Sequence, residues 1–183
     1  MKAISPRTWQ RLGCLLVLAA GGPTPASADT SDVAPTGFVV HLRHETQASP
    51  RQLYEALARI DQWWNGRHTY SGKASNLSLA VQAGGCFCER WERNSVEHAR
   101  VVNVVEGRLL RLSGALGPLQ ALAVEGILSF AIGEKDGRTT LEVSYRVAGP
   151  ASAALDRLAG PVDGVIADQA KRLVRFAETG RPE

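Results

Sequence analysis

The chain alternates first at FVVHLRHET. Phe38, Val40, Leu42, His44 and Thr46 share one face, and Val39, His41, Arg43 and Glu45 share the other. A period of two with one apolar face predicts a half-buried strand. ASPRQLYEALARI changes the period. Leu53, Leu57 and Ile60 recur at helical spacing, Ser49 is suited to cap the helix and Pro50 to its first turn. DQWWNGRHTYSGK is aromatic and punctuated by Asn65-Gly66 and Ser71-Gly72, which predicts a short helix and a loop.

The middle predicts strands joined by turns: NLSLAVQ, then Gly84-Gly85, CFCERW, VEHARVVNVVE and RLLRLSG. ALGPLQAL interrupts the pattern. AVEGILSFAIG and TTLEVSYRVAG flank Asp136-Gly137, a hairpin signal. Short turns imply antiparallel pairing. The last segment is helical, with Leu155, Leu158, Val162, Val165, Ile166, Leu173 and Phe176 as one apolar stripe and Gly180 as a stop. Pro161 predicts a short turn before it and a long helix from there to about Ala177, or one kinked helix. The expected fold class is α+β. About seven antiparallel strands are followed by a long C-terminal helix, with two short helices after the first strand.

The first residues follow another logic. Lys2, Arg7 and Arg11 precede the apolar run LGCLLVLAAGG, and Ala26-Ser27-Ala28 forms a small-residue cleavage site. This is the pattern of a secretory signal peptide over residues 1–28, cut before Asp29, with a periplasmic or secreted product. The run is shorter than the roughly 20 residues a membrane span needs. Residues 29–36 read as a loose tether. The full chain has 21 basic and 18 acidic residues. Removing the peptide takes three basic residues and no acid, leaving 18 against 18. No Lys/Arg cluster remains to suggest nucleic acid.

The order of elements resembles the START-like or SRPBCC superfamily, in which a curved antiparallel sheet grips the last helix. ASPRQLYEAL is similar to a family signature through Ser49-Pro50, Leu53-Tyr54 and Leu57. Trp63 and Trp64 match the tryptophan-bearing segment after the first helix, and Gly84-Gly85 matches a turn opening a middle strand. The resemblance covers roughly residues 37–179 and is greatest to the polyketide cyclase-like and heat-shock-protein ATPase-activator-like branch. It implies a cavity between the sheet and the C-terminal helix. Members bind lipids, hormones or polyketides there, and a minority catalyse cyclisation or aromatisation. The expectation is an exported protein binding a small apolar molecule. A cyclase or aromatase, with His44, Tyr70 or Glu89 moving protons, and a ligand-free interaction module are the alternatives. Whether it is an enzyme and how it assembles stay open.

Candidate cavity residues are His44, Trp63, Trp64, His68, Tyr70, Cys86, Cys88, Glu89, His98 and Arg111. His44 sits on an apolar face, either as a satisfied core histidine or as an acid/base group. The two tryptophans either pack the sheet rim or gate a ligand. Glu89 is either solvated or, facing inward, a carboxyl with a raised pKa. His98 and Arg111 are polar groups on middle strands, and His68 and Tyr70 lie in the loop. Cys86 and Cys88 are separated by one residue. In an extended strand their Cα atoms are about 6.6 Å apart, whereas a disulfide needs Cβ atoms about 4 Å apart. The reading is therefore two unpaired, unmetallated thiols on one face, with a bonded pair requiring a bend or bulge. No cofactor or metal is expected: there is no phosphate loop, dinucleotide fingerprint, catalytic triad order or H-E-x-x-H.

Overall fold

A computed structural model describes residues 28–183. The signal-peptide reading lies almost entirely outside these residues. The chain forms strands β1 (Ala28–Ala34), β2 (Gly37–Thr46), β3 (Leu77–Leu79), β4 (Cys86–Trp91), β5 (Asn94–Val105), β6 (Leu109–Ser113), β7 (Glu125–Lys135) and β8 (Arg138–Ala148). Helices α1 (Pro50–Ala58) and α2 (Ile60–Trp63) follow β2, and α3 (Ala159–Thr179) closes the chain. The eight strands make one curved, antiparallel sheet in the order β1-β2-β8-β7-β6-β5-β4-β3. Every β2–β8 and β7–β8 register is continuous.

The eighth strand is β1, where the sequence suggests a tether. Asp29, Thr30 and Ser31 pair with His41, Val40 and Val39, so this segment extends the sheet at one edge. Its polar composition suits an edge strand, which needs one ladder of backbone bonds and no buried side-chain face.

Local rules fix the helix ends. Ser49 Oγ accepts from the Gln52 N–H, and the Gln52 side chain accepts from the Ser49 N–H, a complete capping box. Pro161 does not break α3. It is the third residue of the helix, within the first turn, where a missing N–H costs no intrahelical bond. A separate 3-10 turn, Leu155–Arg157, precedes it. Asp136 and Gly137 both have positive φ, 53° and 72°, as a two-residue hairpin requires.

The core lies between the concave sheet face and the helices. Phe38, Val40, Leu42, Leu110, Leu112, Phe130, Leu141 and Val143 meet Leu53, Leu57, Trp63, Ile166, Leu173 and Phe176, all buried. None of the described helices is long and apolar enough to cross a membrane.

One irregularity positions the site. Phe87 pairs with Ala99 and Cys88 with Glu97, so His98 is an extra residue on β5. A bulge of this kind bends its strand and re-aims a side chain. His98 and Ala99, adjacent in sequence, are consequently both buried.

Candidate ligand cavity

A cavity of about 400 Å³ opens between the sheet and α3. That is within the range of small-molecule sites, about 300–1,000 Å³. Leu158, Pro161, Val162, Val165 and Ile166 form its helical wall. Trp64 and Tyr145, with Leu116–Leu119, form much of the remainder. Arg67, His68, Thr69, Tyr70 and His98 supply the polar side.

The loop after α2 is tied down at several points. The Trp64 indole donates to the His68 carbonyl at 3.1 Å. The Asn65 N–H donates to Gln169 Oε1 at 2.8 Å, and Arg172 Nε donates to the Trp63 carbonyl at 2.9 Å, so α3 holds the loop's start. The Tyr70 hydroxyl donates to the Gly117 carbonyl at 2.9 Å, joining the loop to a second 3-10 turn, Gly117–Leu122, on the other side of the cavity. Tyr70 itself is half exposed.

Glu89 lies beneath this loop and is fully buried. Its Oε2 accepts from the Tyr70 N–H at 3.0 Å and faces His98 Nε2 at 2.9 Å, and its Oε1 accepts from the Ser71 N–H at 2.6 Å. Burial pushes the carboxyl pKa up, but Ser71, the two backbone donors and His98 together hold it below the ordinary value. The raised pKa that an inward Glu89 suggests is thus corrected: the site supplies enough donors to keep it ionised. Burial lowers the His98 pKa, and the bond to Glu89 does not offset it. The His98 ring lies between Phe87, with centroids 4.8 Å apart, and Tyr70, at 5.8 Å.

Tyr145 is a second buried polar group on the wall. Its hydroxyl accepts from the Leu116 N–H at 2.9 Å and donates to the Gly114 carbonyl at 3.0 Å. Burial, against the Leu116 bond, pushes its pKa up to about 12. Gly126 leaves room for it, since a Cβ there would lie 2.6 Å from the phenolic oxygen.

Of the ten sequence candidates, Trp64, His68, Tyr70 and His98 line the cavity. Glu89 sits behind His98 as its partner. Trp63 is buried in the core instead, with its indole donating to the Ala56 carbonyl at 2.9 Å. His44 faces the core from β2, half-buried, outside the cavity lining. Its Nε2 has no hydrogen-bond partner among the described residues, and burial lowers its pKa. Arg111 lies on the opposite sheet face, where its Nε donates to Ser129 at 3.0 Å.

Cys86 and Cys88 are also on that outer face, because Phe87 and Glu89 take the inner one. They form a disulfide, contrary to the unpaired thiols expected of a flat strand. The register irregularity of β4 against β5 falls between Phe87 and Cys88. The Cα atoms of Cys86 and Cys88 are 5.4 Å apart, inside the usual disulfide range, where an extended strand sets them at about 6.6 Å. Glu97 is the nearby carboxylate, and it pairs with Arg100.

Sequence reasoning missed Tyr145 and the Leu116–Leu119 segment as cavity walls. Tyr145 shares one strand face with Leu141 and Val143, and nothing in TTLEVSYRVAG signals a void beside it. The α3 residues were legible only as an apolar stripe.

No family model and no curated protein matches the sequence. Solved structures do match. CalU16 from Micromonospora echinospora superposes with a TM-score of 0.59 at 14% identity, over 87% of this chain and 88% of its own. The Aha1 dimer from Colwellia psychrerythraea gives 0.56 at 18%, over 78% and 97%. DynU16, from the dynemicin biosynthetic locus, gives 0.57 at 20%, over 79% of this chain and 48% of its own. With eight antiparallel strands wrapped on a long C-terminal helix, the chain has a helix-grip fold, which it shares with these structures.

Proposed function

We propose that this protein is an exported binding protein for a small apolar ligand, held between the sheet and α3. One observation carries the reading: the cavity is walled mainly by apolar side chains, with a few polar groups gathered on one side. Such a surface is costly to leave wetted and favours a ligand that displaces its water. The protein of a solid-core interaction module has no need of such a void. Export rests on the N-terminal sequence pattern alone.

Native mass spectrometry of the protein isolated from its own host tests this. The expected result is an added ligand mass that is absent from a Val165→Trp variant, in which the indole fills the cavity. Protein without added mass, together with no saturable binding of fatty acids, sterols or aromatic polyketide-like compounds, would remove the reading.

A second reading is a cyclase- or aromatase-type enzyme in the same cavity. The Glu89–His98 pair favours it, because a carboxylate that orients a histidine is a common general-base arrangement. The bound molecule then leaves chemically altered, with a new ring closed and water lost where aromatisation follows, whereas a binding protein returns it unchanged.

A further inference from the structure

We infer that the cavity selects a neutral ligand bearing a hydroxyl donor, an aryl or alkyl alcohol, and discriminates against carboxylates. The inference rests on the ligand-cavity reading and adds the chemical class of the ligand. It follows from the direction of the Glu89–His98 bond. Glu89 is ionised and accepts from two backbone donors, Tyr70 N–H and Ser71 N–H. A carboxylate has no proton to give, so the hydrogen between it and His98 belongs to Nε2. In the neutral imidazole, Nδ1 then carries a lone pair and acts only as an acceptor.

That atom makes no hydrogen bond among the described residues, although His98 is only 5% exposed and lines the cavity. Most other inner polar groups are already committed. Tyr145 is bonded to Gly114 and Leu116, Tyr70 to Gly117, the Thr69 hydroxyl to the Gly66 carbonyl, and the Trp64 indole to His68. Arg67 and His68 are exposed at the rim. His98 Nδ1 is not among the fully enclosed side-chain atoms that lack a partner, so solvent can reach it; an apolar ligand filling the cavity would cut it off without a donor, which is unfavourable, and a ligand hydroxyl satisfies it. A ligand carboxylate at the same place accepts where a donor is needed, and it adds a second anion close to Glu89 in a poorly solvated site.

Three probes that share one ring system test the inference: 2-naphthol, 2-methylnaphthalene and 2-naphthoate, titrated calorimetrically into the chain beginning at Asp29. The expected order is naphthol, methylnaphthalene, naphthoate, with naphthol ahead of the hydrocarbon by about three- to tenfold, the worth of one net hydrogen bond. In the double variant His98→Phe/Glu89→Gln an aromatic ring stays between Phe87 and Tyr70 and no unpaired charge is left behind, and naphthol loses its advantage while the hydrocarbon still binds. Should the double variant not fold, nitrogen-15 NMR of the unaltered protein serves. Naphthol shifts the His98 Nδ1 resonance away from that of a free lone pair, and methylnaphthalene does not. Equal binding of naphthol and methylnaphthalene, naphthoate binding tightest, or an unmoved Nδ1 resonance overturns the inference and leaves the cavity reading standing. Binding of none of the three overturns the inference, and the cavity reading falls with it if the native mass spectrum shows no ligand and fatty acids, sterols and polyketide-like compounds also fail to bind.

Discussion

Glu89 and His98 meet at 2.9 Å across two neighbouring strands, although on a regular ladder alternation from Ala99 would turn His98 to the outer face. The extra residue on β5 turns His98 inward beside Ala99. The loop after α2 lays two N–H groups on the carboxylate from above. Neither charge-bearing group is then left unsatisfied on the Glu89 side, which is what permits full burial.

This pair makes folding sensitive to acid. The His98 pKa is lowered, so the unfolded chain takes up a proton near the ordinary value, about 6.5, while the folded chain resists to lower pH. The stability it contributes is complete above about pH 6.5 and is lost as pH falls from there through the folded value. His44 adds in the same window and with the same sign. Glu89, also lowered, contributes fully above about pH 4.3, and that contribution is lost as pH falls through its folded value. Urea midpoints measured between about pH 7.5 and 4 should therefore fall on acidification, and less steeply in His98→Phe/Glu89→Gln. A flat profile in the unaltered protein contradicts the assignment.

Ligand entry should be reported by Trp64 and not by Trp63. Trp64 lines the cavity, whereas Trp63 is fully buried and bonded to Ala56. Saturable quenching or a spectral shift with an apolar ligand should survive Trp63→Phe and largely vanish in Trp64→Phe. The reverse outcome would place the ligand elsewhere.

Thiol counting on the denatured chain beginning at Asp29, without reductant, should find no free cysteine, because Cys86 and Cys88 are bonded. A loop this short removes little unfolded-state entropy, so reduction should cost only about 1–2 kcal/mol of stability. Two free thiols in protein from an oxidising compartment would restore the flat-strand geometry.

Tyr145→Phe should loosen one cavity wall. The change leaves the Leu116 N–H and the Gly114 carbonyl without the phenol that joins them. A loss of about 1–3 kcal/mol is expected, together with faster amide exchange at Leu116. Unchanged exchange at Leu116 would show that the segment is held by other contacts. Gly126→Ala should destabilise by another route, since its Cβ would lie 2.4 Å from the Gly114 carbonyl oxygen.

The amino-acid sequence by itself determined the periodic elements. Alternation marked β2, the Asp136-Gly137 turn marked β7 and β8 on either side of it, all to within a residue or two, and the Ser49 cap with Pro50 marked where α1 starts. These depend on neighbours within a few positions, so a one-dimensional pattern contains them. Tertiary structure decided what lies at long separation. The strand formed by residues 28–34 exists because β2 offers a free ladder, which composition does not reveal. The bulge at His98 is a register mismatch between two strands, invisible in either strand alone. From it follows the inward aim of His98 toward Glu89, and opposite it Cys86 and Cys88 lie 5.4 Å apart. The cavity is decided last of all, because an apolar stripe on α3 reads the same whether the sheet fills the space before it or curves away and leaves about 400 Å³.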